Sequence, residues 1–153
     1  MMAFLRVALV WMLMASGALA CAGVQGGRAA EAALLAAINA ERSAQGLPAW
    51  ALSGALTQAA EMQACDMARH NYFGHQRAGG PDLAARVEST GYPMRAAGEN
   101  LAWTQRVDPA QVIGFWRDSA GHRATMLNPR YREVGLAIAQ GNGRIYWAMV
   151  AGR

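Results

Sequence analysis

The hydrophobic pattern of the chain changes period once, and this change limits the possible folds more than any other feature of the sequence. Up to about residue 118, apolar residues recur at three- and four-residue spacing, as on one face of an α-helix. From residue 134 they alternate with neighbouring positions in two runs, 134–139 and 145–150, which Gly-Asn-Gly (141–143) separates. The alternation predicts two strands, and the turn sequence predicts that they form a hairpin. Helices first and strands last, with short connections, indicate an α+β fold with an antiparallel sheet.

Four helices are predicted in the first part of the domain. Their predicted spans are 31–45, 53–70, 82–90 and 108–118. Asp82 and Asp108 are natural N-caps, and Pro109 suits the first helical position after Asp108. Trp116 lies on the apolar face of the last of these helices and Trp147 lies on a predicted strand, so we expect them to be buried on opposite layers.

Residues 1–20 have the layout of a secretory signal peptide. They carry a single charge, at Arg6, followed by the apolar run 7–14 and then by small residues. This run is shorter than the roughly 20 apolar residues that a membrane-spanning helix needs. We therefore expect an exported protein with a Gly- and Ala-rich tether or linker over 21–30 and one domain over 31–153.

The two cysteines allow two different outcomes after export. Ala18-Leu19-Ala20 suits ordinary signal peptidase, whereas Leu19-Ala20-Cys21 resembles a bacterial lipobox, in which Cys21 would carry lipid. Cys21 can instead form a disulfide with Cys65, because an exported protein folds in an oxidising compartment. The first outcome predicts an envelope lipoprotein that touches the membrane only through its lipid, and the second a soluble periplasmic or extracellular protein.

The charge pattern argues against nucleic acid as a partner. The formal net charge is only +4, and the 14 basic residues, all of them Arg, are scattered along the chain. Nucleic-acid binders instead concentrate basic residues in a patch or stripe. We therefore expect no nucleic-acid partner.

Four short motifs occur in order between residues 71 and 135. They are NYFGH (71–75), GENL (98–101), FWRDSAGHR (115–123), and LNP (127–129) leading into EVG (133–135). In this order and with these gaps they resemble the pattern of bacterial CAP-superfamily domains, the SCP-type domain of cysteine-rich secretory and pathogenesis-related proteins. The resemblance covers nearly all of residues 33–150. It implies an α-β-α sandwich with a three-stranded antiparallel sheet between helical layers.

The resemblance also implies a cleft lined by His75, Glu99 and His122. Many members of the family build this cleft from two His and two Glu, and in some of them it holds zinc or another divalent ion. The second Glu is absent here, since Ser119 stands at its position and Asp118 is the nearest carboxylate.

Two interpretations of the three cleft residues stay open at this point. Two imidazoles and one carboxylate are a sufficient shell for zinc with an open fourth position, so His75, His122 and Glu99 are the predicted metal ligands. Alternatively, the two His are loop residues that donate to backbone carbonyls, while Glu99 binds backbone amides or Arg123.

The sequence leads to three functional hypotheses for the domain. The first is an exported binding module for an unidentified small ligand such as a lipid, a glycan or a peptide. The others are a metal-dependent hydrolase of peptide or glycan with Glu99 as general base, and a structural envelope lipoprotein. A Ser–His hydrolase built on Ser119 and His122 is disfavoured because no G-x-S-x-G elbow is present, and Ser119 is better explained as the N-cap of a short helix to Leu127.

Overall fold

The computed structural model of the protein describes residue 21 and residues 23–153. The predicted signal peptide, residues 1–20, therefore lies outside the described residues. The elements in chain order are α1 (Gly27–Ala44), β1 (Ala51–Leu52), α2 (Gly54–His70), α3 (Leu83–Ser89), β2 (Ala97–Thr104), α4 (Pro109–Asp118), α5 (Ala120–Met126), β3 (Glu133–Gly141) and β4 (Arg144–Gly152). No helix in this described part of the chain is long and apolar enough to cross a membrane.

The helices begin where short polar side chains can accept a hydrogen bond from the first turn. The side chains of Ser53, Asp82 and Asp108 accept from backbone N–H groups three residues later, at the starts of α2, α3 and α4. These contacts satisfy N–H groups that have no partner within the helix. They confirm the helix starts that the sequence predicts. Ser119 stands at the N-cap of α5, although its side chain makes no capping hydrogen bond there.

The sheet has four strands in the order β1-β3-β4-β2. Strands β3 and β4 form the predicted antiparallel hairpin, which closes at Gly141 and Arg144, and β2 pairs antiparallel with the other side of β4. The predicted three-stranded antiparallel sheet is thus present. It gains a two-residue parallel edge strand, β1, because the chain entering α2 runs beside β3 and Ser53 N–H donates to the Val134 carbonyl. A segment this short has no hydrophobic period from which it could be predicted.

Helices cover both faces of the sheet and create two cores. One core contains residues of α1 and α4, and the other contains residues of α2 and α3. Trp116 and Trp147 are both fully buried, but both belong to the first core, so the prediction of opposite layers is wrong. Strand β4 is buried on both faces, and its sequence pattern therefore could not show which core receives Trp147.

The segment predicted as a linker is partly ordered structure. Helix α1 begins at Gly27, so residues 27–30 are its first turn rather than linker, and Val24 packs against the first core. Gly27 is itself buried, and a Cβ there would lie 3.2 Å from the Ile138 side chain. Gly and Ala suit a flexible tether and a closely packed helix end equally well, which explains the misplaced boundary.

A disulfide joins Cys21 to Cys65 on α2, across a sequence separation of 44 residues. In the chain-entropy account, closing a loop of this length stabilises the folded state by about 4 kcal/mol. We therefore expect Cys65→Ser to lower the free energy of unfolding by about that amount in non-reducing buffer. With a reductant present, the variant and the parent protein should unfold alike.

Intact-mass analysis of the protein isolated from cells separates the disulfide from lipidation, since a sulfur atom in a disulfide is not available for a thioether to lipid. The expected mass is that of a soluble chain lacking two hydrogens relative to its dithiol. A mass increased by acyl chains in the membrane fraction would contradict the disulfide and favour the lipoprotein.

Candidate functional site

A buried ion pair between Glu99 on β2 and Arg86 on α3 forms the base of the site. Both side chains are only 1% exposed. One terminal nitrogen of Arg86 donates to Oε2 of Glu99 at 2.6 Å, and the other donates to Oε1 at 3.1 Å. This two-point contact fixes the plane of the carboxylate.

Sequence reasoning missed Arg86, although the chain contains a signal for it. Arg86 follows Leu83 by three residues and directly precedes the buried Val87, which places a cation on the apolar face of a short helix. An Arg in that position needs a buried partner, and Glu99 supplies it. The expectation that Glu99 contacts Arg123 or backbone amides is therefore wrong: Glu99 binds Arg86 and His75.

His75 is held over this ion pair by its loop and by Glu99. Its Nδ1 lies 2.8 Å from Oε1 of Glu99, and its backbone carbonyl accepts from Arg86 at 3.1 Å. The hydrogen bond to Glu99 raises the pKa of His75 above its usual value, against the opposing effect of burial. Because the side chain is 62% exposed, Nε2 is the ring nitrogen available to a ligand.

The loop that carries His75 is fastened to α2 by polar contacts. Asn71 caps the helix in the left-handed conformation, with φ of 51°. Gln63 then donates to the Gly74 carbonyl, and the Tyr72 hydroxyl donates to Asp66 at 2.7 Å. Burial and the Asp66 carboxylate raise the pKa of Tyr72 to about 12, so its hydroxyl stays protonated as a donor.

His122, at the start of α5, faces the same region from the other layer. Its backbone carbonyl accepts from the Asn100 side chain at 2.9 Å, which ties α5 to β2. Its Nδ1 is buried and has no hydrogen-bond partner within the described residues. Burial, with a smaller contribution from the nearby His75, lowers the pKa of His122. The two imidazoles therefore differ, since His75 gains a proton more readily than His122.

Asp118 and Ser119 do not join the three residues. Asp118 is exposed at the end of α4, and its carboxylate lies 3.7 Å from the neighbouring Arg117. In the described part of the chain, the Ser119 hydroxyl makes no hydrogen bond to His122. Ser119 therefore does not form a Ser–His pair with His122, and Asp118 does not take the place of the missing Glu.

An aromatic cavity of about 480 Å³ opens beside His122. Three large side chains on its wall are partly exposed: Phe73 by 49%, Trp103 by 39% and Phe115 by 48%. They come from the His75 loop, from β2 and from α4, so both layers and the sheet contribute to one concave surface. Trp103 lies near the end of β2, an outer strand of the sheet.

The predicted metal shell does not fit this arrangement. Both oxygens of Glu99 already accept hydrogen bonds from Arg86, and Oε1 also contacts His75. Among residues 21 and 23–153, no group of three or more His, Cys, Asp or Glu side chains is placed to hold a metal ion. Glu99 is better described as the residue that positions His75 than as a zinc ligand, and zinc binding by His75 and His122 stays a prediction.

A sheet with helices on both faces is the arrangement of the CAP-type α-β-α sandwich. The model of the cysteine-rich secretory protein family, CAP, matches residues 35–151. The chain belongs to this family, which confirms the resemblance found in the sequence motifs.

Three comparisons show how far this similarity extends. The Bacillus subtilis protein YkwD is 33% identical over 115 residues, which are 75% of this chain and 44% of YkwD. An extracellular protein containing an SCP domain from Bacillus anthracis has a TM-score of 0.73 at 24% identity, covering 83% of this chain and 41% of that one. An outer surface protein from Borrelia burgdorferi has a TM-score of 0.78 at 15% identity, covering 87% of this chain and 98% of that one. The matched part of this chain thus spans less than half the length of YkwD. The two solved structures share the fold of this chain.

Proposed function

We propose that this chain is an exported, non-catalytic binding module whose ligand site is the aromatic cavity beside His122. The observation that carries the proposal is the partial exposure of Phe73, Trp103 and Phe115 on one concave wall. Leaving three large aromatic side chains in water is unfavourable, and a clustered apolar surface with a few polar groups is typical of ligand sites. Export is supported by the N-terminal sequence and by the extracellular and surface proteins that share the fold.

The two other hypotheses are less well supported by the arrangement of the site. A general base needs a carboxylate free to accept a proton from water, whereas Glu99 is buried and paired with Arg86. A purely structural lipoprotein has no use for three exposed aromatic residues around a cavity.

Binding of the dye 1-anilinonaphthalene-8-sulfonate tests this proposal, because the dye combines an aromatic body with one negative charge. We expect the folded protein to bind the dye and to increase its fluorescence, and we expect Phe115→Ala to weaken binding about tenfold, as loss of a central aromatic contact does. Leu52→Ala is the matched control, since Leu52 is 62% exposed on β1, at the opposite edge of the sheet. If both variants bind the dye as the parent does, the cavity is not the ligand site.

A further inference from the structure

Strand β2 is an outer strand of the sheet, and its hydrogen-bonding pattern shows which residues face outward. Just before β2, Ala96 and Arg153 exchange both of their main-chain hydrogen bonds, at 3.0 and 3.2 Å. In an antiparallel pair, hydrogen-bonded and non-hydrogen-bonded residues alternate along each strand. Because the register between β2 and β4 is constant, every second residue counted from Ala96 directs its N–H and C=O groups toward β4. Residues 98, 100, 102 and 104 therefore bond to β4, whereas Leu101 and Trp103 direct their N–H and C=O groups away from the sheet.

Among residues 21 and 23–153, three of these outward main-chain groups have no hydrogen-bond partner. The Leu101 carbonyl accepts from the indole N–H of Trp116 at 2.9 Å. Within the described part of the chain, no hydrogen bond reaches the N–H of Leu101 or the N–H and C=O of Trp103. Both residues line the aromatic cavity, and Leu101 is only 3% exposed. An open strand edge of this kind is a template for another chain, because its unpaired groups need main-chain partners.

The charge around this edge is positive. Arg106 lines the cavity, and the guanidinium of Arg144 lies 4.5 Å from the ring centre of Trp103. No Asp or Glu is among the described residues that line the cavity. Neither Arg has a carboxylate partner in the described part of the chain, so an acidic group on a ligand would be attracted to them.

We propose that the cavity binds a short, extended, acidic peptide as an added strand along β2, paired with Leu101 and Trp103. The inference rests on the proposed function and names the ligand class of that site. Main-chain pairing supplies the missing partners of the edge, while Phe73 and Phe115 on either side contact alternate side chains of the peptide. Pairing stops at Leu101, because the indole of Trp116 already occupies its carbonyl. The added strand is therefore only two or three residues long where it pairs.

A library of N-acetylated, C-amidated hexapeptides selected on the disulfide-bonded protein is the direct test. We expect the selected peptides to contain Asp or Glu. They should bind the Trp103→Ala variant more weakly than the parent protein, and they should bind the parent more weakly at high salt. Single N-methylation along the best peptide should weaken binding about tenfold at alternate positions only, as loss of strand-pairing hydrogen bonds requires. Failure to select any peptide, or an N-methyl scan without alternation, would overturn the proposal.

Two variants at one position separate the main chain from the side chain. Trp103→Ala removes the indole and keeps the N–H, whereas Trp103→Pro removes both, and proline is tolerated on an outer strand where the N–H faces away from the sheet. We expect the selected peptide to bind the Pro variant about tenfold more weakly than the Ala variant. If both variants fold and bind the peptide equally, strand pairing is overturned. If the Pro variant does not fold, the N-methyl scan of the peptide is the deciding test. Dye binding without peptide binding would retain the binding module and reject its peptide ligand.

Discussion

Replacing Glu99 with Gln should lower the free energy of unfolding by about 3–5 kcal/mol, because it leaves the guanidinium of Arg86 buried without a counter-charge. Both side chains are 1% exposed, so water cannot compensate for the lost partner. Arg86→Met should have a similar effect, since it leaves the carboxylate unpaired instead. Chemical denaturation followed by circular dichroism measures both variants.

Two further variants make this test specific. The double change Arg86→Met with Glu99→Gln should recover much of the loss, because removal of both charges leaves neither one buried alone. Arg77→Ala breaks the more exposed contact to Asp66, at 3.3 Å, and should cost under about 1 kcal/mol. Equal losses for Glu99→Gln and Arg77→Ala would contradict the assignment of Glu99 and Arg86 as the central pair.

The same variant should change the titration of His75. Its pKa is raised chiefly by the hydrogen bond to Glu99, whereas burial and Arg86 lower it, so in Glu99→Gln it should fall to or below the ordinary value of about 6.5, as NMR can measure. A group whose pKa is higher in the folded state than in the unfolded state stabilises the folded protein when it is protonated. This stabilisation is complete at pH values below the unfolded-state pKa, and it is lost as pH rises through the folded-state pKa. The stability difference between parent and variant should therefore shrink as pH rises through the folded-state pKa of His75.

Gly135→Ala should prevent stable folding or cost more than about 3 kcal/mol, at the upper end of overpacking effects. A Cβ at this position on β3 would lie 2.0 Å from main-chain atoms of Leu56 and Thr57 on α2. Main chain cannot move aside as a flexible side chain can, so α2 would have to leave the sheet. Thermal unfolding by calorimetry measures the loss.

Gly114→Ala is the matched control for this change. Gly114 lies inside α4, and a Cβ there meets nothing within 4 Å. Alanine has the higher helix propensity, so this variant should be as stable as the parent or more stable, by up to about 1 kcal/mol. A Gly135→Ala protein with the parent's unfolding temperature would show that α2 does not pack on β3 as described.

Local signals in the chain were enough to predict most of the elements. The N-caps Ser53, Asp82 and Asp108 start three helices as expected, and the Gly-Asn-Gly turn closes the hairpin. Two errors came from segments whose composition suits two structures: the Gly- and Ala-rich residues 27–30 and the doubly buried strand β4.

For the site, the motifs identified His75, Glu99 and His122 but not the contacts between them. His75 and Glu99 do meet, at 2.8 Å, whereas Asp118 lies on an exposed helix end. Arg86 was missed because the pairing of two charges depends on how α3 is placed against β2.

Sequence alone determined the family and the α+β class, because periodicity, caps and ordered motifs are local properties of a chain. Only the tertiary structure decided that Arg86 neutralises Glu99 and that Trp103 is exposed. It also decided that β2, which carries Leu101 and Trp103, is an outer strand of the sheet, since strand order is set by contacts between distant segments. Burial, pairing and exposure are relations between elements, and their energies exist only once those elements have packed together.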